Sequence, residues 1–250
     1  EGDEAMSPIV TVEHIGKSFK GLRALHDVSF TVDAGEVLGI IGPNGAGKTT
    51  LFNCMAGLFP PTTGTVHYEG QDVTGWSDAR LARAGMVRTF QLMRPFGSMT
   101  VVENVAVAAA ARGENEKEAE AEAWDIVQRT GLGQYATRTS KDLPTAGLKR
   151  LELARALALH PRVLLLDEVL AGLVPTERQP VIDLLLSIRD QGTTLLFVEH
   201  VMQAVMALSD RVIVLNQGEM LASGKPEEVT KNPEVIEAYL GDEVTDADAH

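Results

Sequence analysis

Two kinds of hydrophobic patterning divide the chain. Apolar and polar residues alternate from Ile9 to Val12 and again from Val28 to Val32, as half-buried antiparallel strands require. Glu36 to Ile41 instead ends in a continuous apolar run, which suits a strand buried on both faces. The runs Val163–Leu166 and Thr194–Val198 have the same character, and each ends in acidic or titratable residues, as expected where a parallel sheet presents chemistry at its strand ends. Between them, from about Ser98 to His160, Ala, Glu and Arg dominate and β-branched runs are few. Glu114 to Thr130 therefore predicts a long acidic helix stopped by Gly131. Smaller signals predict a hairpin strand at Thr65–Tyr68 turning at Glu69-Gly70. A second hairpin is expected from Arg211–Leu215 and Met220–Ala222 around Asn216 to Glu219, with Pro226 to Tyr239 as a closing helical segment.

The pattern is that of an α/β core, about residues 7–90 and 161–241, with an antiparallel N-terminal sheet and a helical insertion at about 91–160. A single domain is expected over 7–241, with flexible ends at 1–6 and 242–250. A chain of 250 residues can bury one substantial core. Its formal net charge of -13 argues against broad contact with nucleic acid or anionic lipid, so any phosphate it holds must be gripped locally. Cys54 is the only cysteine, which excludes an internal disulfide or a multi-cysteine metal site and suits a reducing cytosolic setting; it reads as a buried small apolar residue. No apolar run reaches 18 residues and no export leader is expected, so any work at a membrane depends on partners.

The apolar run ending at Ile41 leads into Gly42-Pro43-Asn44-Gly45-Ala46-Gly47-Lys48-Thr49-Thr50, and then into Leu51 to Ala56 and a stop at Gly57. Gly42, Gly47, Lys48 and Thr49 match G-x-x-x-x-G-K-[ST], in which glycines let backbone N–H groups wrap phosphate oxygens at a helix start. In that pattern Lys48 bridges the β- and γ-phosphates and Thr49 ligates Mg²⁺. An ordinary glycine turn explains the match poorly, because a strand is predicted before it and a helix after it. Asp167 and Glu168 end the run Val163–Leu166, placing one carboxylate near the metal and the next where it polarises an attacking water. An isolated Asp-Glu pair reads equally well as a solvated strand end; together with the glycine loop it points to phosphoryl chemistry.

With RTFQ at Arg88–Gln91, LKRLELARAL at Leu148–Leu157, LLLDE at Leu164–Glu168 and VEH at Val198–His200, the chain resembles an ABC transporter ATPase over nearly its whole length. The resemblance implies a P-loop NTPase (RecA-like) core with the two subdomains described above, and ATP with Mg²⁺ as ligands. It also implies that Gln91 touches Mg²⁺ and the attacking water and signals to a membrane partner, that His200 contacts the γ-phosphate, and that Phe19 stacks on adenine. Taken alone, each has a plainer reading: Gln91 as a surface loop amide, His200 as a satisfied helix-start histidine, Phe19 as core. Within the family, RTFQ followed by MTVVENV at Met99–Val105, AGL at Ala171–Leu173 and NPEVIEAYLG at Asn232–Gly241 are most similar to branched-chain amino acid importers. Lipopolysaccharide-export and urea-import ATPases are similar in the same stretches.

The resemblance implies transmembrane permease subunits, indirectly a substrate-binding protein, and a second ABC ATPase subunit, in a heterodimer or, in isolation, a homodimer. The chain departs from the family where it would serve that neighbour. The signature loop, usually LSGGQ, is Leu143-Pro144-Thr145-Ala146-Gly147. Val169 stands where proline is usual, and Val174 where Asp or Asn is expected. Pro144 offers neither a hydroxyl nor a backbone N–H, and Ala146 adds a methyl group. These departures suggest an asymmetric heterodimer whose partner completes this chain's site. Two rival readings are a soluble ABC ATPase of DNA repair or the ribosome, disfavoured by the missing coiled coil or second cassette and by the acidity, and a regulatory module that binds ATP and hydrolyses little.

Overall fold

The computed structural model describes residues 7–89, 95–113 and 115–239, in two compact units: one takes the chain up to Asp78 and from Thr194 onward, the other is Ala79–Thr193. The first unit contains β1 (Val10–Phe19), β2 (Leu22–Val32), β3 (Val37–Ile41), α1 (Lys48–Met55), β4 (Thr63–Tyr68), β5 (Gln71–Asp72), β8 (Thr194–Val198), α7 (Met202–Leu208), β9 (Arg211–Asn216), β10 (Glu219–Gly224) and α8 (Pro226–Val229). The second contains β6 (Met86–Arg88), α3 (Val101–Ala110), α4 (Glu116–Arg129), α5 (Thr145–Leu157), β7 (Val163–Asp167) and α6 (Pro175–Asp190); α2 (Asp78–Ala84) leads into it. Among the described residues no helix is long and apolar enough to cross a membrane.

In the first unit, β2, β1, β4 and β5 form an antiparallel sheet. Its first two strands are much longer than the predicted runs. Register shifts between Val12 and Ser18, with His14 and Asp27 in the left-handed region at φ 53° and 55°, interrupt the alternation while pairing continues. The central strand β3 is buried at every position and lies parallel to both β8 and β9, with β10 completing an antiparallel hairpin on β9. Gln217 and Gly218, at φ 47° and 83°, make the tight turn of that hairpin. Arg211 binds Glu36 in a bidentate pair (Nε to Oε1 2.7 Å, Nη2 to Oε2 3.2 Å) and donates to the Thr31 carbonyl at 2.6 Å, so β9 is tied to the ends of β2 and β3. The closing segment is two helical pieces. After α8 the chain turns, and Asn232 Oδ1 accepts the Glu234 N–H at 2.9 Å to start a new helix over 233–239.

In the second unit β6 runs parallel to β7, which is buried throughout. The helical part packs Val101, Val105, Ala109, Ala123, Ile126, Val127, Leu151 and Ala154 into one apolar cluster from α3, α4 and α5. The predicted acidic helix is α4, capped by Asn115 through the Glu118 N–H at 3.0 Å. Helix α3 opens on a capping box: Thr100 accepts from the Glu103 N–H, and Glu103 reaches back to the Thr100 N–H at 2.7 Å. One turn in, Asn104 is fully buried. It accepts the Phe96 N–H at 2.8 Å and donates to the carbonyls of Phe96 at 3.2 Å and Thr100 at 2.8 Å, fixing the segment that leads into the helix. Asn104→Ala strands these groups and is expected to lower unfolding free energy by about 3 kcal/mol, measured by urea denaturation; a loss within noise would show that the turn stands without it.

Candidate functional site: the phosphate loop and a buried carboxylate

In the first unit the chain leaves β3 and reverses through the glycine loop before α1. Gly42, Gly45 and Gly47 have φ of 148°, 75° and 99°. A methyl group on Gly42 would lie 2.1 Å from the Leu215 carbonyl oxygen, and one on Gly47 would lie 2.8 Å from the Ala24 carbonyl oxygen. Conformation and space both require glycine there. Helix α1 has neither a side-chain N-cap nor an acidic residue in its first turn, so its positive end is left for an external anion. Lys48 Nζ folds back over the loop and donates to the carbonyls of Gly42 at 2.6 Å and Pro43 at 2.8 Å. Thr49 and Thr50 follow on the helix. Cys54 is buried on the same helix, and burial pushes its thiol up to about 11, partly offset by Lys17.

The loop is held from behind by a turn that motif reading did not single out. The Gly218 N–H donates to the Ala46 carbonyl at 3.0 Å, and the Gly218 carbonyl accepts the His26 N–H at 2.8 Å, so the β9–β10 turn spaces the loop from β2. A methyl group at Gly218 would meet the Ala24 carbonyl at 2.7 Å. Phe19, at the end of β1, is 42% exposed, which excludes a core role. His200 lies exposed two residues past β8, just before α7.

In the second unit Asp167 ends β7. Its side chain is 1% exposed, and Oδ2 accepts from Arg88 Nη2 at 2.7 Å, from the end of β6. Arg88 stood in the RTFQ motif without a role; the ion pair supplies one, since a buried carboxylate needs a charged partner. An oxygen-only carboxylate at a parallel strand end, with one oxygen already oriented, fits a hard divalent cation such as Mg²⁺. Glu168 is half-buried with φ of 49°, a left-handed conformation that costs a non-glycine residue on the order of 1–2 kcal/mol. Lys149 Nζ holds its carbonyl at 2.9 Å. The structure thus groups Phe19, the loop and His200 in one unit and Asp167 with Glu168 in the other; Gln91 lies outside the described residues.

A strand, a three-glycine loop and a helix with its positive end uncapped define a phosphate-loop nucleotide-binding cassette. The ABC transporter family pattern matches residues 25–171, and that of the branched-chain amino acid ATP-binding cassette transporter matches residues 219–245. The chain is 40% identical, over 94% of its length and 98% of theirs, to the high-affinity branched-chain amino acid transport ATP-binding proteins LivG of Salmonella typhimurium and BraF of Pseudomonas aeruginosa. Among solved structures it is similar to an ATP-binding cassette of an ABC transporter in its ADP conformation. The TM-score is 0.86 with 31% identity, covering 94% of this chain and 99% of the other. A nucleotide-free cassette gives a TM-score of 0.85 with 30% identity, covering 93% and 98%. The chain belongs to the ABC transporter ATP-binding cassette family and is an ABC-type ATPase.

Gly218→Ala is expected to weaken ADP binding about tenfold, a loss of roughly 1.4 kcal/mol, by pushing the turn off the Ala46 carbonyl. Calorimetric titration with ADP reads it directly, and unchanged affinity in a folded variant would show that the loop holds itself.

Proposed function

We propose that this chain powers import of branched-chain or related amino acids by Mg²⁺-dependent ATP hydrolysis, as one cassette spanning 7–241 with its helical insertion at about 91–160. The observation that carries the phosphate chemistry is the Lys48 ammonium poised on the carbonyls of Gly42 and Pro43, where triphosphate oxygens would replace them. The cargo is supported by the likeness of the C-terminal stretch, residues 219–245, to branched-chain amino acid cassettes.

In this reading the residues from Gly42 to Thr50 wrap the phosphates, with backbone N–H groups at all but Pro43, Lys48 bridges the β- and γ-phosphates, and Phe19 carries the base. Thr49, Gln91 and Asp167 would hold Mg²⁺, which supplies charge neutralisation on the phosphates when bound. Glu168 is the base that orients and deprotonates the attacking water, with Gln91 beside that water and His200 on the γ-phosphate. Arg88 keeps Asp167 oriented by taking one of its oxygens. Reopening of the closed dimer after hydrolysis then resets the transport subunits.

The partners are a second ABC ATPase, the transmembrane permease subunits that hold the chain at the inner face of the membrane, and indirectly a substrate-binding protein. A heterodimer is favoured by the altered signature loop. Pro144, exposed, is the N-cap of α5 and offers no hydroxyl; Ala146 sits in the first turn; and Val174, 54% exposed, starts α6 where a polar side chain is usual. This chain's own site keeps its catalytic set, while what it lends the partner is reduced.

ATP turnover of the purified chain, wild type and Glu168→Gln, is measured alone and mixed with a sister ATPase of the same organism. Weak turnover alone, a rise with the partner, and a fall of at least about a hundredfold with Glu168→Gln are expected. ATP binding without Glu168-dependent turnover under any pairing would make this a regulatory module instead.

A further inference from the structure

Phe19 does not stand alone at the end of β1. Phe59, in the segment after α1, forms a T-shaped pair with it, with ring centroids 5.4 Å apart and planes at 90°. Lys17 lies over both rings, its Nζ 5.1 Å from the Phe19 centroid and 4.6 Å from that of Phe59, and the same Nζ donates to the Pro60 carbonyl at 2.6 Å. One ring and one cation, itself tied to a carbonyl, therefore converge on a phenylalanine that still has 42% of its surface exposed.

This arrangement is more than coverage of an apolar surface. An exposed phenyl ring at a strand end samples several rotamers, and a ligand that stacks on it must freeze them. The contact with Phe59 removes that freedom in advance, because a T-shaped pair fixes the ring plane as well as its position. The ammonium of Lys17, anchored by Pro60, draws the π density of both rings toward one side. The exposed part of Phe19 is thereby rigid and less electron-rich, which favours stacking by the electron-rich face of a purine.

We propose that Phe59, together with Lys17, is a positioning residue for the nucleotide base: it pre-orders Phe19, so that part of the affinity for ATP comes from a ring that needs no ordering on binding. The proposal rests on the reading of Phe19 as the base platform. It concerns the base alone and leaves the phosphate grip untouched, which separates it from a merely structural role.

The test is calorimetric titration of the full chain with ADP and, separately, with pyrophosphate, which has no base. Phe59→Ala is expected to weaken ADP about three- to tenfold, the range of an aromatic pair, and to leave pyrophosphate affinity unchanged. Phe59→Tyr, which keeps the ring, restores wild-type binding. Phe19→Ala weakens ADP at least as much, and adding Phe59→Ala to it costs nothing further. Equal loss of both ligands in Phe59→Ala would overturn the proposal by placing the effect in the fold. A loss of ADP affinity in Phe19→Ala but not in Phe59→Ala would overturn it while leaving Phe19 as the platform; no loss in Phe19→Ala would remove the platform and the proposal together.

Discussion

The glycine loop depends on a support that is itself backbone. A chain that reverses through three left-handed glycines turns its N–H groups toward a ligand only if something holds its carbonyl side. Here the Gly218 N–H donates to the Ala46 carbonyl, beside Lys48 Nζ on those of Gly42 and Pro43, and Gly218's own carbonyl is anchored on the His26 N–H. The requirement spreads outward. Gly218 must be glycine because Ala24 is 2.7 Å from where a side chain would start, and the β9–β10 turn must be tight because it fits between the loop and β2. The bidentate Arg211–Glu36 pair then fixes β9 against the start of β3.

The second unit solves a different problem with a charge. Asp167 is out of water, and a lone buried carboxylate is costly; Arg88, itself only 10% exposed, offsets that cost and takes one oxygen. The parallel pairing of β6 with β7 sets the reach, with Arg88 opposite Leu165 and its side chain extending two residues along to Asp167. Thr89 continues the ladder through its N–H to the Leu165 carbonyl at 2.9 Å.

What sequence could show follows the range of the interactions. The glycine loop between β3 and α1, and the placement of Asp167 at the end of β7 with Glu168 just past it, were legible because glycine conformation and strand ends are local. The buried strands β3, β7 and β8 appeared within a residue of their ends because burial on both faces leaves an unbroken apolar run. Strands β1 and β2 were read short because bulges at His14 and Asp27 shift the side-chain alternation, and a period-2 pattern stops where the pleat is broken. The break inside the closing helical segment was not legible because a cap by Asn232 looks, in sequence, like an ordinary polar position. Gly218, Arg88, Phe59 and Lys17 act across tens to hundreds of residues, and no local pattern announces such partners.

Glu168 has a consequence of another kind. The left-handed backbone of Glu168 would be relieved by glycine or asparagine, so the position proposed for the base is also one where the fold would gain by losing the glutamate. Laboratory selection for thermal robustness alone would be expected to drift away from glutamate there, and only selection that demands turnover would keep it. Ranking variants of this chain by stability would thus reward the loss of the proposed base.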